Sequence, residues 1–376
     1  MKLQASSDQS VAIRVDMAPL VASDTPVRTT VENPRAIEFL YLDQEAVLAA
    51  DLLNMPRAMR VVAQAQALFV QGQVRHPHKV VLRQGDSPES EDEGRFNALF
   101  ASIGGQVRTT GMKWIGSFPA NRERGFPRAS ALIILNCPDT GMPIAVMDGT
   151  LISAMRTGAM TALGVHYLAP RKTRKIGMIG AGVQSRTQIL GLYTALSGVE
   201  EMALTNRDKA RAENVADECR QLWGVPVRAV ASIDEALCDA DVALTITSAH
   251  EPHMIARQIK PGALTVQLAG HECEFALIQQ CQKIVTDDWE VVKHRGIMTP
   301  AIMHQQGLLH DSDIHANLGE LILGIKPGRE ADSERIHYAH MGMGVDDVAL
   351  GWAVYQTARE RGLGIRLPLW REPLWV

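Results

Sequence analysis

The sequence predicts an α/β protein in which a parallel-sheet domain is inserted between the two parts of an α+β domain. Three observations carry that expectation. The first part reads as helix followed by several strands, the order of an α+β unit. The middle alternates short apolar strands with helices, the pattern of a parallel sheet covered on both faces. The last part, 310–376, returns to helix and loop. With 376 residues, the chain can build two separate cores.

Residues 1–36 are polar, show no clear period and are predicted to form a loosely packed arm. "IEFLYL" (37–42) reads as a strand, and Asp43 caps the predicted helix "QEAVLAADLL" (44–53). Pro56 suits the first turn of a second helix, "RAMRVVAQAQALFVQ" (57–71), which Gly72 stops. Strand-like runs follow at 79–83, 97–105, 111–118 and 129–137. Polar and Gly/Pro loops join them, among them the acidic "DSPESEDEG" (86–94), read as solvated. "GTLISAMRTGAMTALGVHYLA" (149–169) is apolar enough for a buried helix. From "KIGMIG" (175–180) to "KIVTDD" (283–288), strands and helices then alternate. The expected division is an arm at 1–36, one domain from 37–148 plus 316–376, and a second from 149–315.

Composition excludes several classes. A formal net charge of −4 gives no global basic field for nucleic acid. No run is apolar for the ~20 residues a membrane helix needs. The first residues lack the apolar core of a secretion signal. The five cysteines are scattered and form no C-x-x-C pair, so they predict free thiols in a reducing cytoplasm. His76 and His78 have ligand-like spacing without a third partner, so no metal site is expected.

The stretch "KIGMIGAGVQSRTQ" carries Gly180-x-Gly182-x-x-Ser185 between an apolar strand and a predicted helix. In that context the glycines read as a dinucleotide cradle. Gly180 permits the tight turn, and Gly182 lets a pyrophosphate approach the helix N-terminus. Ser185 stands where a third glycine is usual and is small enough for helix–strand packing. Val183, Gln184, Thr247 and Ser248 are expected at the same ligand. NAD-binding folds usually carry an acid at the end of the second strand, to bind the ribose 2′-OH. Here Thr205 and Asn206 are followed by Arg207, which suits a 2′-phosphate. The cofactor is therefore NAD or NADP, with a slight preference for NADP, and Asp208 could offset Arg207. The middle domain is thus expected to be a Rossmann-type fold.

The stretches "KWIGS", "RASALIILN", "MRTGA", "TDDW", "LGELILGIKPGRE" and "MGMGVDDVA" resemble the ornithine cyclodeaminase/μ-crystallin family, over residues 37–370. The likeness is greatest to its siderophore-pathway branch, which acts on N-(2-amino-2-carboxyethyl)-L-glutamate. The resemblance implies a homodimer whose α+β domain binds substrate and dimerises, with NAD(P)-dependent oxidation at a Cα–N bond. Hydrolysis of the imine would then give 2,3-diaminopropionate and 2-oxoglutarate. A cyclodeaminase, a ketimine reductase and a non-catalytic NADPH-binding protein share the framework.

Site residues are expected on chemical grounds and from the resemblance. Lys113 sits among apolar residues of a strand, where burial lowers a lysine pKa and allows proton exchange near neutrality. The family places this lysine at the reacting centre. Arg156 can hold a carboxylate with its planar fork, and the family uses it for the substrate α-carboxylate. Arg128 stands where cyclodeaminases carry a neutral residue, so it fits an additional carboxylate. Arg83 and Lys79 alternate with apolar residues and add positive charge. Glu272 follows the fifth strand of the parallel sheet, near an aspartate that acts on the substrate amine in cyclodeaminases. Asp346 and Asp347 open a helix, where acids favour the dipole. The family places one of them near the nicotinamide, and Asp347 is the residue expected there.

Overall fold

A computed structural model describes residues 35–85, 93–249 and 251–376. The predicted arm, apart from its last two residues, and most of the acidic loop lie outside the described residues. The chain divides into two compact units. Among the described residues, one is Thr157–Gly342; the other joins those from 35 to 156 with Met343–Val376.

The second of these units begins with β1 (Ile37–Leu42), α1 (Gln44–Ala49) and α2 (Met55–Val70). Asp43 caps α1 as expected, accepting from Ala46 N, but the helix ends at Ala50 because Asp51 turns to φ 65°. Asn54 caps α2, and Pro56 lies in its first turn. There follow β2 (Val74–Arg75), β3 (Val80–Gln84), β4 (Gly94–Ile103), β5 (Thr109–Ser117), β6 (Ala129–Asn136) and β7 (Pro143–Asp148). Helix α3 (Thr150–Leu168) is largely apolar and buried nearly throughout. The boundary between the units falls within it.

The other unit continues with β8 (Lys175–Ile179), α4 (Ser185–Ala195), β9 (Glu201–Thr205), α5 (Lys209–Trp223), β10 (Val227–Ala229) and α6 (Ile233–Leu237). Next come β11 (Val242–Thr245), β12 (Leu264–Gln267), α7 (Phe275–Gln279), β13 (Lys283–Thr286), α8 (Trp289–Arg295) and α9 (Thr299–Gln305). It ends with β14 (Ile314–Asn317), α10 (Leu318–Ile322) and β15 (Ile336–Ala339). Helix α11 (Gly344–Glu360) and β16 (Ile365–Trp370) return to the mixed unit.

The mixed unit has an eight-stranded sheet, ordered β16-β1-β7-β6-β5-β4-β2, with β3 also on β4. Helix α11 packs across β4, β5 and β6, and also against α2. The outer face presents Val80, Leu82, Phe100, Trp114 and Leu132 to solvent. In the other unit the order is β10-β9-β8-β11-β12-β15-β13-β14, with every pairing parallel. Its first five strands follow the Rossmann order 3-2-1-4-5, and the order reverses between β8 and β11.

The observed boundary differs from the expected one. Residues 316–342 were expected in the α+β domain, but β15 inserts between β12 and β13 of the parallel sheet. Tyr338 on that strand is fully buried, and a Cβ at Gly164 would meet its ring at 2.2 Å. At its start, the parallel unit begins within α3, not before it.

Candidate active site and dinucleotide cradle

The parallel unit holds the glycine loop at its switch point. Gly180 follows β8 at φ 111°, and a Cβ there would meet the carbonyl of Ile246, after β11, at 2.3 Å. Only glycine fits this crossing. At Gly182 a Cβ would meet nothing within 4 Å, so the loop leaves open space at the start of α4. Ser185 is buried, and its hydroxyl donates to Gly180 O at 2.7 Å. The serine thus ties helix to loop in place of the third glycine. Gln184 is the N-cap residue without a side-chain capping bond, and Val183 is exposed beside it. Open space, a helix N-terminus and a bare glycine together fit a dinucleotide pyrophosphate.

At the tip of β9, Asn206 Oδ1 accepts from Ala181 N at 3.3 Å, joining this tip to the glycine loop. Arg207 is exposed. Asp208 caps α5, accepting from Arg211 N at 3.2 Å, so its carboxylate serves the helix end.

Glu272 is fully buried, which pushes its carboxyl up, while donors from Thr247 and Thr245 oppose that shift. Its Oε1 accepts from Thr247 N at 2.7 Å, Thr247 Oγ1 at 2.7 Å and Thr245 Oγ1 at 2.9 Å. Its Oε2 accepts from Ala269 N at 3.1 Å. Thr245 Oγ1 also meets His253 Nε2 at 2.8 Å, extending the chain of hydrogen bonds. The sequence reading expected Glu272 to be a catalytic residue that, like Lys113, could activate the water adding to an imine. Its Oε2 is held by Ala269, after β12, and its Oε1 by Thr245 at the end of β11 and by Thr247 in the loop that follows. Ser248 is exposed on the same loop.

The mixed unit assembles a second group. Lys113, on β5, is 2% exposed. Its Nζ lies 2.7 Å from Asp347 Oδ2 and donates to Ser153 Oγ at 3.0 Å. Arg156 Nε donates to Asp347 Oδ1 at 3.0 Å. One carboxylate thus bridges two buried cations. Ser153 and Arg156 are three residues apart on α3 and therefore share a face. Asp347 lies in the first turn of α11, where the helix dipole favours its charge. Its neighbour Asp346 turns the other way and accepts from Gln66 Nε2 at 2.8 Å.

Burial is the main cause that lowers Lys113 to about 8, and the Arg156 charge adds to it; Asp347 opposes both. Arg156 Nη1 is buried with no hydrogen-bond partner among the described residues. An arginine N–H in that state is suited to an incoming carboxylate.

The remaining cations fall outside this cluster. Arg83 lies on edge strand β3, opposite Arg95 of β4. Lys79 immediately precedes β3 and is half-buried. Arg128 stands in the bend before β6, where its carbonyl accepts from Phe118 N. Sequence reasoning missed Ser153, whose hydroxyl accepts from Lys113 on the helix face it shares with Arg156. Cys219, Cys273 and Cys281 are buried thiols whose pKa burial pushes up, and all five cysteines are free. His76 packs edge-on to Phe69. Among the described residues no three His, Cys, Asp or Glu gather where they could hold a metal, and no helix is long and apolar enough to cross a membrane.

Comparison with known proteins agrees with this architecture. An alanine dehydrogenase of Archaeoglobus fulgidus is 32% identical over 339 residues, covering 89% of this chain and 100% of that protein. An N-((2S)-2-amino-2-carboxyethyl)-L-glutamate dehydrogenase of Staphylococcus aureus is 28% identical over 335 residues, covering 89% and 99%. The solved structure of an archaeal alanine dehydrogenase dimer with bound NAD superposes with a TM-score of 0.79 at 29% identity, covering 89% of this chain and 100% of that one. The sequence model of the ornithine cyclodeaminase/mu-crystallin family matches residues 42–362, and with that span of the fold and both groups of site residues inside it, the chain belongs to this family.

Proposed function

We propose that this protein is an NAD(P)-dependent dehydrogenase that oxidises an amino acid at its Cα–N bond. Its substrate on this reading is N-(2-amino-2-carboxyethyl)-L-glutamate, and its products are 2-oxoglutarate and 2,3-diaminopropionate. The observation that carries the reading is the buried Lys113–Asp347–Arg156 group with one arginine N–H left for a ligand. The relatives named as dehydrogenases of alanine and of this glutamate derivative support the reaction class.

Gly180, Gly182, Val183 and Gln184 would hold the dinucleotide phosphates. Asn206 and Arg207 would meet the adenine-side ribose, and Thr247 and Ser248 the far end. The bound dinucleotide supplies the hydride acceptor. The protein's residues manage carboxylates and protons. Arg156 binds the α-carboxylate and so fixes Cα. Near pH 8 a substantial fraction of Lys113 is the neutral amine, which has two N–H bonds. Asp347 Oδ2 and Ser153 Oγ are the two acceptors within reach, so they orient the lone pair away from themselves. That lone pair takes the proton from the substrate nitrogen, and the resulting ammonium is stabilised by Asp347. Lys113 then passes a proton to the departing amine as water adds to the imine carbon. The balance is secondary amine, water and NAD(P)+ to 2-oxo acid, primary amine, NAD(P)H and a proton.

Arg207, with no acid at the end of β9, supports the slight preference for NADP. The outer apolar face of the mixed sheet supports a homodimer, and the solved alanine dehydrogenase relative is a dimer. The test is absorbance at 340 nm with NAD+ or NADP+ and N-(2-amino-2-carboxyethyl)-L-glutamate, alanine, ornithine or lysine. A rise with the first substrate supports the reading and reveals the preferred cofactor. Ammonia release from ornithine or lysine, without net reduction, would replace it with cyclodeamination.

A further inference from the structure

We infer that His337 and Gln267 are positioning residues of the dinucleotide site. A one-way chain of hydrogen bonds starts at Thr265 and passes through both side chains. It sets the turn after β12, and with it the Glu272 carboxylate that holds Thr247. The inference rests on the dehydrogenase reading, in which Thr247 meets the far end of the dinucleotide.

The chain lies within the parallel unit. Thr265 and Gln267 are on β12, and His337 is on the neighbouring β15, where the register pairs it with Thr265. All three are fully buried, as are Thr299 and Glu272. Polar groups are costly in such a core unless each is satisfied. One end of the Gln267 amide meets Gly270 O and lies 3.0 Å from Thr299 Oγ1. A carbonyl oxygen only accepts, so that end is the NH2, and the amide oxygen faces His337. Gln267 Oε1 is 3.3 Å from His337 Nε2. Two acceptors would repel there, so His337 carries its proton on Nε2. Burial pushes this imidazole down to about 3, so near neutral pH it holds one ring proton and Nδ1 is bare. Nδ1 therefore accepts from Thr265 Oγ1 at 2.9 Å. Each direction follows from the one before it, and this arrangement of protons satisfies the whole chain.

The far end of the chain reaches the candidate site. Gly270 O also accepts from Glu272 N at 3.0 Å. Thr299 Oγ1 takes the second N–H of Gln267 and donates to Cys273 O at 3.2 Å. The backbone is thus fixed on both sides of Glu272, whose Oε1 accepts from Thr247 N and Oγ1. Strands β12 and β15 hold the fifth and sixth places of the Rossmann order 3-2-1-4-5-6. They belong to the second mononucleotide half, across the switch point from the glycine loop. Disturbing the chain should therefore loosen the nicotinamide half of a bound dinucleotide and spare the adenine half.

Two measurements test this. Long-range proton–nitrogen NMR of protein labelled with 15N-histidine reads the tautomer near neutral pH, the His337 ring being the signal absent from His337→Gln. The Nε2–H form is expected. The Nδ1–H form, or a charged ring, would overturn the chain. Binding is read by fluorescence titration with NAD(P)H and by calorimetry with adenosine 5′-monophosphate. In Gln267→Met and His337→Met the Kd for NAD(P)H should rise about 10-fold, and that for the monophosphate less than about 2-fold, as for one displaced hydrogen-bonded contact. His337→Gln keeps an N–H near the Nε2 position and should stay within about 3-fold of wild type for both ligands. Equal losses for both ligands, or a His337→Gln variant as weak as His337→Met, would make these residues core packing and overturn the inference. A wild type that binds no dinucleotide would sink the dehydrogenase reading itself. Tight NAD(P)H binding that the methionine variants leave unchanged would sink the positioning role alone.

Discussion

At the residue scale, Asp347 is the counterion of both Lys113 and Arg156, and on the proposed function it sets how Lys113 titrates. With Lys113 lowered to about 8, the neutral amine forms as pH rises, so kcat/KM should climb through an acid limb centred near that value. Removing the Asp347 charge withdraws what favours the ammonium, so Asp347→Asn should move the limb to lower pH. Arg156→Gln removes a repelling cation and should move it to higher pH, while raising KM about 100-fold through loss of the carboxylate fork. Initial rates across pH 6–10 check both signs. Ser153→Ala should lower kcat about 10-fold with little change in KM, and shift the limb to lower pH, since the hydroxyl accepts from the ammonium. Ser153→Thr should restore both. A serine that only packed α3 would leave the limb where it was.

At the scale of elements, the glycine loop separates two tasks that one motif combines. Gly180 is needed by the fold, since it crosses Ile246 O in a left-handed conformation, whereas Gly182 borders open space. Gly180→Ala should therefore lower the melting temperature of the dinucleotide-free protein and weaken NAD(P)H binding together. Gly182→Val should leave the melting temperature within about 2 °C while raising the Kd for NAD(P)H at least 100-fold, because the added side chain fills the cradle and not the core. Fluorescence titration and thermal unfolding distinguish the two. Helix α11 shows a related economy. Its capping residue Asp346 accepts from Met343 N, while the next residue serves Lys113 and Arg156. An acidic pair that reads as ordinary helix-dipole chemistry thus divides into a cap and a counterion.

For the whole molecule, buried Lys113 links stability to pH. Its folded pKa lies below its ordinary value of 10.5, so the unfolded chain binds the additional proton between about 8 and 10.5. Stability therefore rises with pH through that window, by roughly 3 kcal/mol from this group. The penalty is fully present below pH 8. Lys113→Met should lack this increment, which urea unfolding at pH 7.5 and 10 in parallel with wild type would measure. The exposed apolar face of the mixed sheet has a consequence for assembly. On the homodimer reading, Trp114→Glu should shift the protein from dimer to monomer in light scattering, because a charge cannot be buried unpaired at such a contact.

The sequence by itself determined the parallel sheet, the glycine loop and the placing of Lys113 and Arg156 among apolar neighbours. Short continuous apolar strands between helices, a bare glycine after a strand, and a cation among apolar neighbours are local signals. It did not reveal β15, because "IHYA" is a four-residue strand with a histidine inside, and only its partners β12 and β13 bury it. Nor did it reveal β7 and β16, whose pairing with β1 joins distant parts of the chain. The tertiary structure alone decided which acid meets which base. Asp347 reaches Lys113 and Arg156 across more than 190 residues of sequence, and Glu272 reaches Thr245 and Thr247 across a full strand–loop step. Such pairings are set by sheet register and helix placement, which depend on the whole chain's packing and leave no trace in any short window of sequence.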